Sequence, residues 1–183
     1  RLGRKGKRAD LMLNEIVTEV AQLTEASIHK LYLFGYSGGA QFVHRYMLAY
    51  PERVAKIVLG APGWYTLPDP TIEYPVGIKE SRRLPRIQFV PAQFLHIPVC
   101  VLVGEKDNRR DAELNKSTQI DRLQGRTRIE RGQYWVEEMN HQARTQGLLT
   151  TYAFHLLPDS PHSFSISMQR GGMGEKAFDF LFP

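Results

Sequence analysis

The sequence predicts an α/β fold in which a parallel sheet is covered by helices on both faces. Three observations carry this. Short continuous apolar runs, such as Leu31 to Phe34 and Val99 to Val103, lie between longer stretches with a helical period. The two kinds alternate, which is the order that builds a parallel sheet with helical crossovers. The chain has 183 residues, 42% of them hydrophobic and 10% aromatic, enough for one domain with a sizeable core.

The elements follow in chain order. From Asp10, a plausible N-cap, Leu13, Ile16, Val17, Val20 and Thr24 share one helical face. Leu31 to Phe34 reads as a strand buried on both faces. Gly39 to Tyr50 is helical, with Phe42, Val43, Tyr46 and Met47 facing inward and Pro51 beyond its end. Val54 to Leu59 is the next strand, closed by Gly60-Ala61-Pro62-Gly63. Residues 64–95 break the rhythm with five prolines and aromatics of no clear period, as a lid or binding loop does. Strand pattern resumes over Ile97 to Val103. A helix over 130–146, a strand over Thr150 to Leu157 and a helix over 172–182 complete the chain.

Composition excludes some functions. The net charge of +5 comes from Arg1, Arg4, Lys5, Lys7 and Arg8, and the remaining chain balances 19 basic against 19 acidic side chains. No basic stripe continues into the fold, so nucleic acid is not an expected partner. No apolar run reaches the ~18 residues a membrane-spanning helix needs. No signal-peptide pattern is visible, which favours the cytoplasm, although a start at Arg1 without methionine leaves the compartment open. Cys100 is the only cysteine and sits inside an apolar run, where a thiol acts as a small hydrophobe.

Gly35-Tyr36-Ser37-Gly38-Gly39 fits G-x-S-x-G, with a strand before it and a helix after it. A strand that turns at once into a helix forces its serine into an unfavourable backbone conformation. The positions two before and two after crowd each other, which accounts for Gly35 and Gly39. The turn presents the hydroxyl above the sheet, beside a helix N-terminus that favours negative charge. A serine capping a helix after a glycine turn is the plain alternative.

A serine nucleophile needs a base, and the base an orienting carboxylate. Of six histidines, His29, His44, His96, His141 and His155 fall before or within helices and strands. His162, in Pro158-Asp159-Ser160-Pro161-His162, alone sits in a loop past the last strand, unless it is an ordinary loop histidine. Val103-Gly104-Glu105-Lys106-Asp107 offers two acids. Asp107 is favoured over Glu105 because it lies far enough past the strand to turn toward the histidine. Asp69 is a minor alternative, and Asp159 reads as a turn residue. Ser37, Asp107 and His162 each follow a different strand, where open parallel sheets place their sites.

On these residues the sequence resembles the α/β-hydrolase superfamily. The stretch GYSGGAQFVHRYMLAYPERVAKIVLGAPGWYTLPD is similar to its poly(3-hydroxybutyrate)-depolymerase-like and feruloyl-esterase-like branch, where GYSxGGxF, HRY, PERV and GAPG recur in that order; VLVGEKD and PHSF match the later acid and histidine segments. The resemblance implies a serine esterase with Ser37 as nucleophile, Asp107 as orienting acid, His162 as base and the Gly38 N–H as one oxyanion donor. It implies no cofactor and no metal. In that family the nucleophile follows the fifth strand; here it follows the first. Residues 1–183 therefore read as the C-terminal part of a single α/β-hydrolase domain, apparently lacking the N-terminal strands and the second oxyanion donor, with a lid at 64–95. A preceding segment or a second chain is expected to supply them. Pro161 stands where the family often has glycine before the histidine.

The expected activity is cleavage of a small-molecule or polymeric carboxylic ester through an acyl-enzyme. Thioesterase, amidase and acyltransferase chemistry uses the same parts. A non-catalytic hydrolase-like binding or assembly protein is the alternative from another class. Trp64 and Tyr65 are candidate substrate-binding residues. Tyr74, Phe89 and Phe94 share the excursion with Arg82, Arg83 and Arg86, which could attract an acidic substrate.

Overall fold

A computed structural model describes residues 8–82, 84–85 and 87–183. The basic run at 1–7, and Arg83 and Arg86, lie outside the described residues. Four strands, β1 (Leu31–Tyr36), β2 (Val54–Gly60), β3 (Val99–Gly104) and β4 (Tyr152–Leu157), form one sheet in that order. All three pairings are parallel, and one row runs Gly35–Leu59–Val101–Phe154 across it.

The alternation of side chains along β2 and β3 feeds two cores. Ile57, Leu59, Val99, Val101 and Val103 face the helices α2 (Gly38–Ala49) and α5 (Arg128–Thr145). Val58, Cys100 and Leu102 face α7 (Met173–Leu181) on the other side. Helices therefore cover both faces, and every residue of β3 is buried, which is why VCVLVG reads as an unbroken apolar run. The helix α5 begins with a capping box: the Thr127 hydroxyl accepts from the Glu130 N–H, and the Glu130 carboxylate accepts from the Thr127 N–H.

The front of the chain departs from expectation in two ways. The helix α1 (Ala9–Thr24) has Arg8, not Asp10, at its N-cap; Asp10 lies in the first turn, where it pairs with Arg8 and accepts a hydrogen bond from the Tyr50 hydroxyl. Its apolar residues Leu11, Met12, Ile16, Val20 and Leu23 are exposed rather than buried. Polar contacts, including the Tyr46 hydroxyl donating to Asn14 Oδ1 at 2.6 Å, tie it to α2. The strand β1 is likewise not buried on both faces: among the described residues it pairs only with β2, and Tyr32 and Phe34 are 48% and 38% exposed. Both departures share one cause. The sheet edge at β1 is open among the described residues, and the apolar surface around it is only partly covered, Tyr32 by the Phe182 ring at 5.1 Å and Phe34 by the Phe164 ring at 6.4 Å.

The excursion after β2 lacks a period because it is pinned residue by residue. Tyr65, Leu67, Tyr74, Ile78, Leu84 and Phe89 are buried in the same core as α2 and α5. The Thr66 N–H donates to His44 Nε2, its carbonyl accepts from Trp135 Nε1, and the Gln124 side chain brackets the Tyr65 backbone. The excursion ends in α3 (Pro91–Phe94). Three short helices, α3, α4 (Thr118–Gln124) and α6 (Phe164–Gln169), go beyond what the sequence predicts.

Candidate active site

Ser37 sits between the last residue of β1 and the first of α2 with φ 52° and ψ −113°, a conformation a residue with a Cβ rarely adopts. Such a backbone stores on the order of 1–3 kcal/mol and needs support. The Ser37 N–H donates to the Gly60 carbonyl at 2.7 Å, and its carbonyl accepts from the Gln41 N–H. Gly35 is required for the turn: a Cβ there would lie 2.5 Å from the Gly39 oxygen and 2.8 Å from the Ala40 nitrogen. The reciprocal demand on Gly39 is not met, since a Cβ at Gly39 would meet nothing within 4 Å. The crowding is one-sided, because the Cβ direction at 35 points into the helix backbone and that at 39 points away. Gly38 begins α2, so its N–H has no partner within the helix.

Two loops bring the other candidates to Ser37. Past β3, the Asp107 N–H turns back to the Gly104 carbonyl, while the N–H groups of Glu105 and Lys106 donate to the carbonyls of Leu157 and Ser160. The loop after β4 is thus stitched to the loop after β3. Gly104 permits it: a Cβ there would lie 2.0 Å from the Ser160 oxygen. Asp159 takes a left-handed φ of 52° and pairs with Lys106, as befits a turn residue. The chain then presents His162 just before Ser163 caps α6.

The three side chains meet in a line. His162 Nε2 lies 3.1 Å from Ser37 Oγ, and His162 Nδ1 lies 2.7 Å from Asp107 Oδ2. A carboxylate only accepts, so the ring proton belongs on Nδ1 and the Nε2 lone pair faces the serine hydroxyl. The Tyr36 ring stacks on His162 at 5.4 Å, with Phe164 edge-on to Tyr36. Asp107 is 2% exposed. Its second oxygen accepts from Arg128 Nη1 at 3.0 Å, and Arg128 also forks onto Asp111 at 2.6 and 3.1 Å. That guanidinium holds the Asp111 carboxyl down at about 2. Arg128 and Asp111 escaped the sequence reading; the capping box places Arg128 at a helix start, but nothing local shows that it turns inward.

Neither a family model nor a curated relative matches the sequence. Solved structures do. Poly(aspartic acid) hydrolase-1 from Sphingomonas sp. KT-1 superposes with a TM-score of 0.79 at 24% identity, over 97% of this chain and 64% of that one. The poly(3-hydroxybutyrate) depolymerase LpqC from Bordetella parapertussis gives 0.71 at 25% identity, over 85% of this chain and 52% of that one. A monoacylglycerol lipase from Paleococcus ferrophilus gives 0.51 at 17% identity. The fold is that of an α/β-hydrolase. The chain spans between about half and two thirds of the length of the first two structures it matches.

Within this α/β-hydrolase fold no hydrogen bond among the described residues joins the remaining candidates to Ser37 or His162. His29, His96, His141 and His155 are exposed. His44 is buried; its Nδ1–H donates to the Ala40 carbonyl, its Nε2 accepts from Thr66, and burial holds it neutral, well below the usual histidine range. Glu105 is exposed, and Asp69 is occupied by the Thr71 N–H and hydroxyl. Burial pushes the Cys100 thiol up to about 12. Tyr65 corrects the expectation of a substrate contact: it is 0% exposed, stacked on Trp135 at 5.0 Å, and offers no surface to a ligand. Tyr74, Phe89 and Phe94 are likewise core residues. Trp64 is partly exposed, with the Arg45 guanidinium 4.2 Å above its ring. Burial lowers Arg45 to about 10. No helix among the described residues is long and apolar enough to cross a membrane.

Proposed function

We propose that this chain carries the catalytic residues of a serine hydrolase acting on carboxylic esters. The observation that supports it most is the unbroken line from Ser37 Oγ through His162 to buried Asp107, starting at a strained strand-to-helix turn. As His162 Nε2 takes the hydroxyl proton, Ser37 Oγ bonds to the acyl carbon and the carbonyl electrons move to oxygen. The Gly38 N–H, at the positive end of α2, stabilises that oxyanion. Its collapse breaks the bond to the alcohol, which leaves with the proton from His162. Water then attacks the acyl-enzyme by the same steps, releasing the acid and restoring Ser37. Asp107 holds the imidazole tautomer and balances its charge.

In this reading residues 1–183 are the C-terminal part of one α/β-hydrolase domain. Further strands, from a preceding segment or a second chain, complete the sheet at β1 and bring the second oxyanion donor. The open edge with exposed Tyr32 and Phe34, and the bare apolar face of α1, support this. The excursion at 64–95 borders the site as a lid. It follows directly on Gly63, which lies against Gln41 one helical turn beyond Ser37, and partly exposed Trp64 is its candidate substrate contact.

The test is hydrolysis of a panel of aryl, short-acyl and polyester substrates by the longer protein, meaning this chain together with the strands proposed to complete its sheet. Activity on at least one ester, abolished by Ser37→Ala with the fold intact, is the expected result. Hydrolysis indifferent to that change refutes the role of Ser37. Absence of hydrolysis across the panel leaves the fold to its non-catalytic alternative.

A further inference from the structure

Asp107 gives its two oxygens to different partners. Oδ2 accepts from His162 Nδ1 at 2.7 Å, and Oδ1 accepts from Arg128 Nη1 at 3.0 Å. The same Nη1 lies 2.6 Å from Asp111 Oδ2, and Arg128 Nη2 lies 3.1 Å from Asp111 Oδ1. The side chains of Asp107 and Arg128 are each 1% exposed, and that of Asp111 is 33% exposed. A line of alternating charge thus runs from the reacting end of His162 to the surface. Arg128 Nε is left buried without an acceptor among the described residues. The guanidinium is therefore placed for the two carboxylates at the expense of one of its own hydrogen bonds.

A bare cation against Asp107 would oppose the stabilisation of a protonated His162. Asp111 offsets it: two carboxylates and one guanidinium carry one net negative charge, the same as a lone aspartate. We propose that Arg128 and Asp111 are positioning residues of this site, Arg128 fixing the Asp107 carboxylate through Oδ1 and Asp111 cancelling the charge of Arg128 as felt at His162. This rests on the reading of Ser37, His162 and Asp107 as a catalytic unit. The other groups around the line do not change its charge near neutral pH. Tyr36, on the His162 ring, and Tyr65, in the field of Asp107, are both raised by burial above the usual tyrosine range. Arg131, in the field of Arg128, is held by Asp121. Lys106 and Asp159 pair on the surface nearby.

The two residues then act on the base with opposite sign. Losing the negative charge of Asp111 makes protonated His162 less favourable, so the acid limb of the pH–rate profile moves to lower pH. Losing the positive charge of Arg128 moves it to higher pH. Nearby charges of this kind shift a titration by about one unit or more. The test is the pH profile of kcat from pH 5 to 9 for the longer protein and its Asp111→Asn, Arg128→Met and Arg128→Lys variants, with Ser37→Ala as control. The expected result is a shift of about half to one unit downward for Asp111→Asn and about one unit upward for Arg128→Met. Turnover should fall about threefold or more in each with little change in KM, and Arg128→Lys should restore the limb but not the full rate. Limbs that stay in place, or move in the same direction, overturn the proposal. Should Arg128→Met not fold, Asp111→Asn decides alone, and an unmoved limb overturns it. Activity surviving Ser37→Ala overturns the reading of the site itself; unmoved limbs with Ser37→Ala inactive overturn only the roles of Arg128 and Asp111.

Discussion

Replacing Gly104 by alanine tests how the two loops hold the site together. The new Cβ would stand 2.0 Å from the Ser160 oxygen, 2.7 Å from its carbonyl carbon and 3.0 Å from its Cβ. A relaxed carbon–oxygen contact is about 3.3 Å, so the loops must part by roughly 1.3 Å. The N–H of Lys106 reaches Ser160 at 3.0 Å, and that bond is lost. Asp107 lies three residues past Gly104 and His162 two past Ser160, so their 2.7 Å contact opens to about 4 Å if each loop moves as a unit. Overpacking costs about 1–3 kcal/mol and the lost hydrogen bond about 1 more. A misplacement of about 1 Å costs on the order of 10² in rate. The assay is kcat on an ester substrate beside a thermal melt, with Gly39→Ala as control. Gly39 has open space at its Cβ position inside a helix, so alanine there should keep activity and add about 0.5–1 kcal/mol of stability. A Gly104→Ala protein within threefold of the parent kcat refutes the idea that this close approach sets the Asp107–His162 distance.

Three further outcomes are expected. His162→Ala should abolish hydrolysis while His155→Ala, exposed on β4, leaves it within about twofold; kinetics of the two single variants decide, and the reverse pattern refutes the assignment. Cys100 should resist iodoacetamide at pH 8 in the folded protein and react after denaturation, because the thiolate is the reactive form and its thiol is pushed up to about 12; mass spectrometry reads the adduct, and rapid native labelling refutes the burial argument. Residues 1–183 expressed alone should aggregate or lack activity, because β1 exposes an unpaired apolar edge; a soluble, active monomer by light scattering and ester assay refutes the need for added strands.

What was legible in the sequence followed from local rules. The run VCVLVG gave away β3 because burial on both faces leaves no room for polar residues, and VAKIVLG gave away β2 through its buried IVLG end, with Lys56 near the half-buried start. The turn at Ser37 was legible because its close approach writes glycine at 35, and the nearness of Asp107 and His162 to it because each follows a strand end. The helices α4 and α6 were missed because seven and six residues are too short to show a period. The faces of β1 and α1 were misjudged for a different reason: an apolar pattern says what a face prefers, not whether a partner is there to cover it. Arg128 was invisible because its meaning lies 21 residues away, at Asp107. An arginine at a helix start otherwise reads as a solvated charge. Tyr65 beside Trp64 shows the same limit, since one faces outward and the other packs on Trp135 with no change in local composition.

The central claim is that Ser37 is a nucleophile activated by His162. Its most direct measurement is reaction of the folded longer protein with a fluorophosphonate, followed by peptide mass spectrometry. The account predicts one stoichiometric adduct, on Ser37, that appears with loss of hydrolysis and is slowed by more than about 10²-fold in His162→Ala. An active protein that takes no label, or takes it on another serine, contradicts the account.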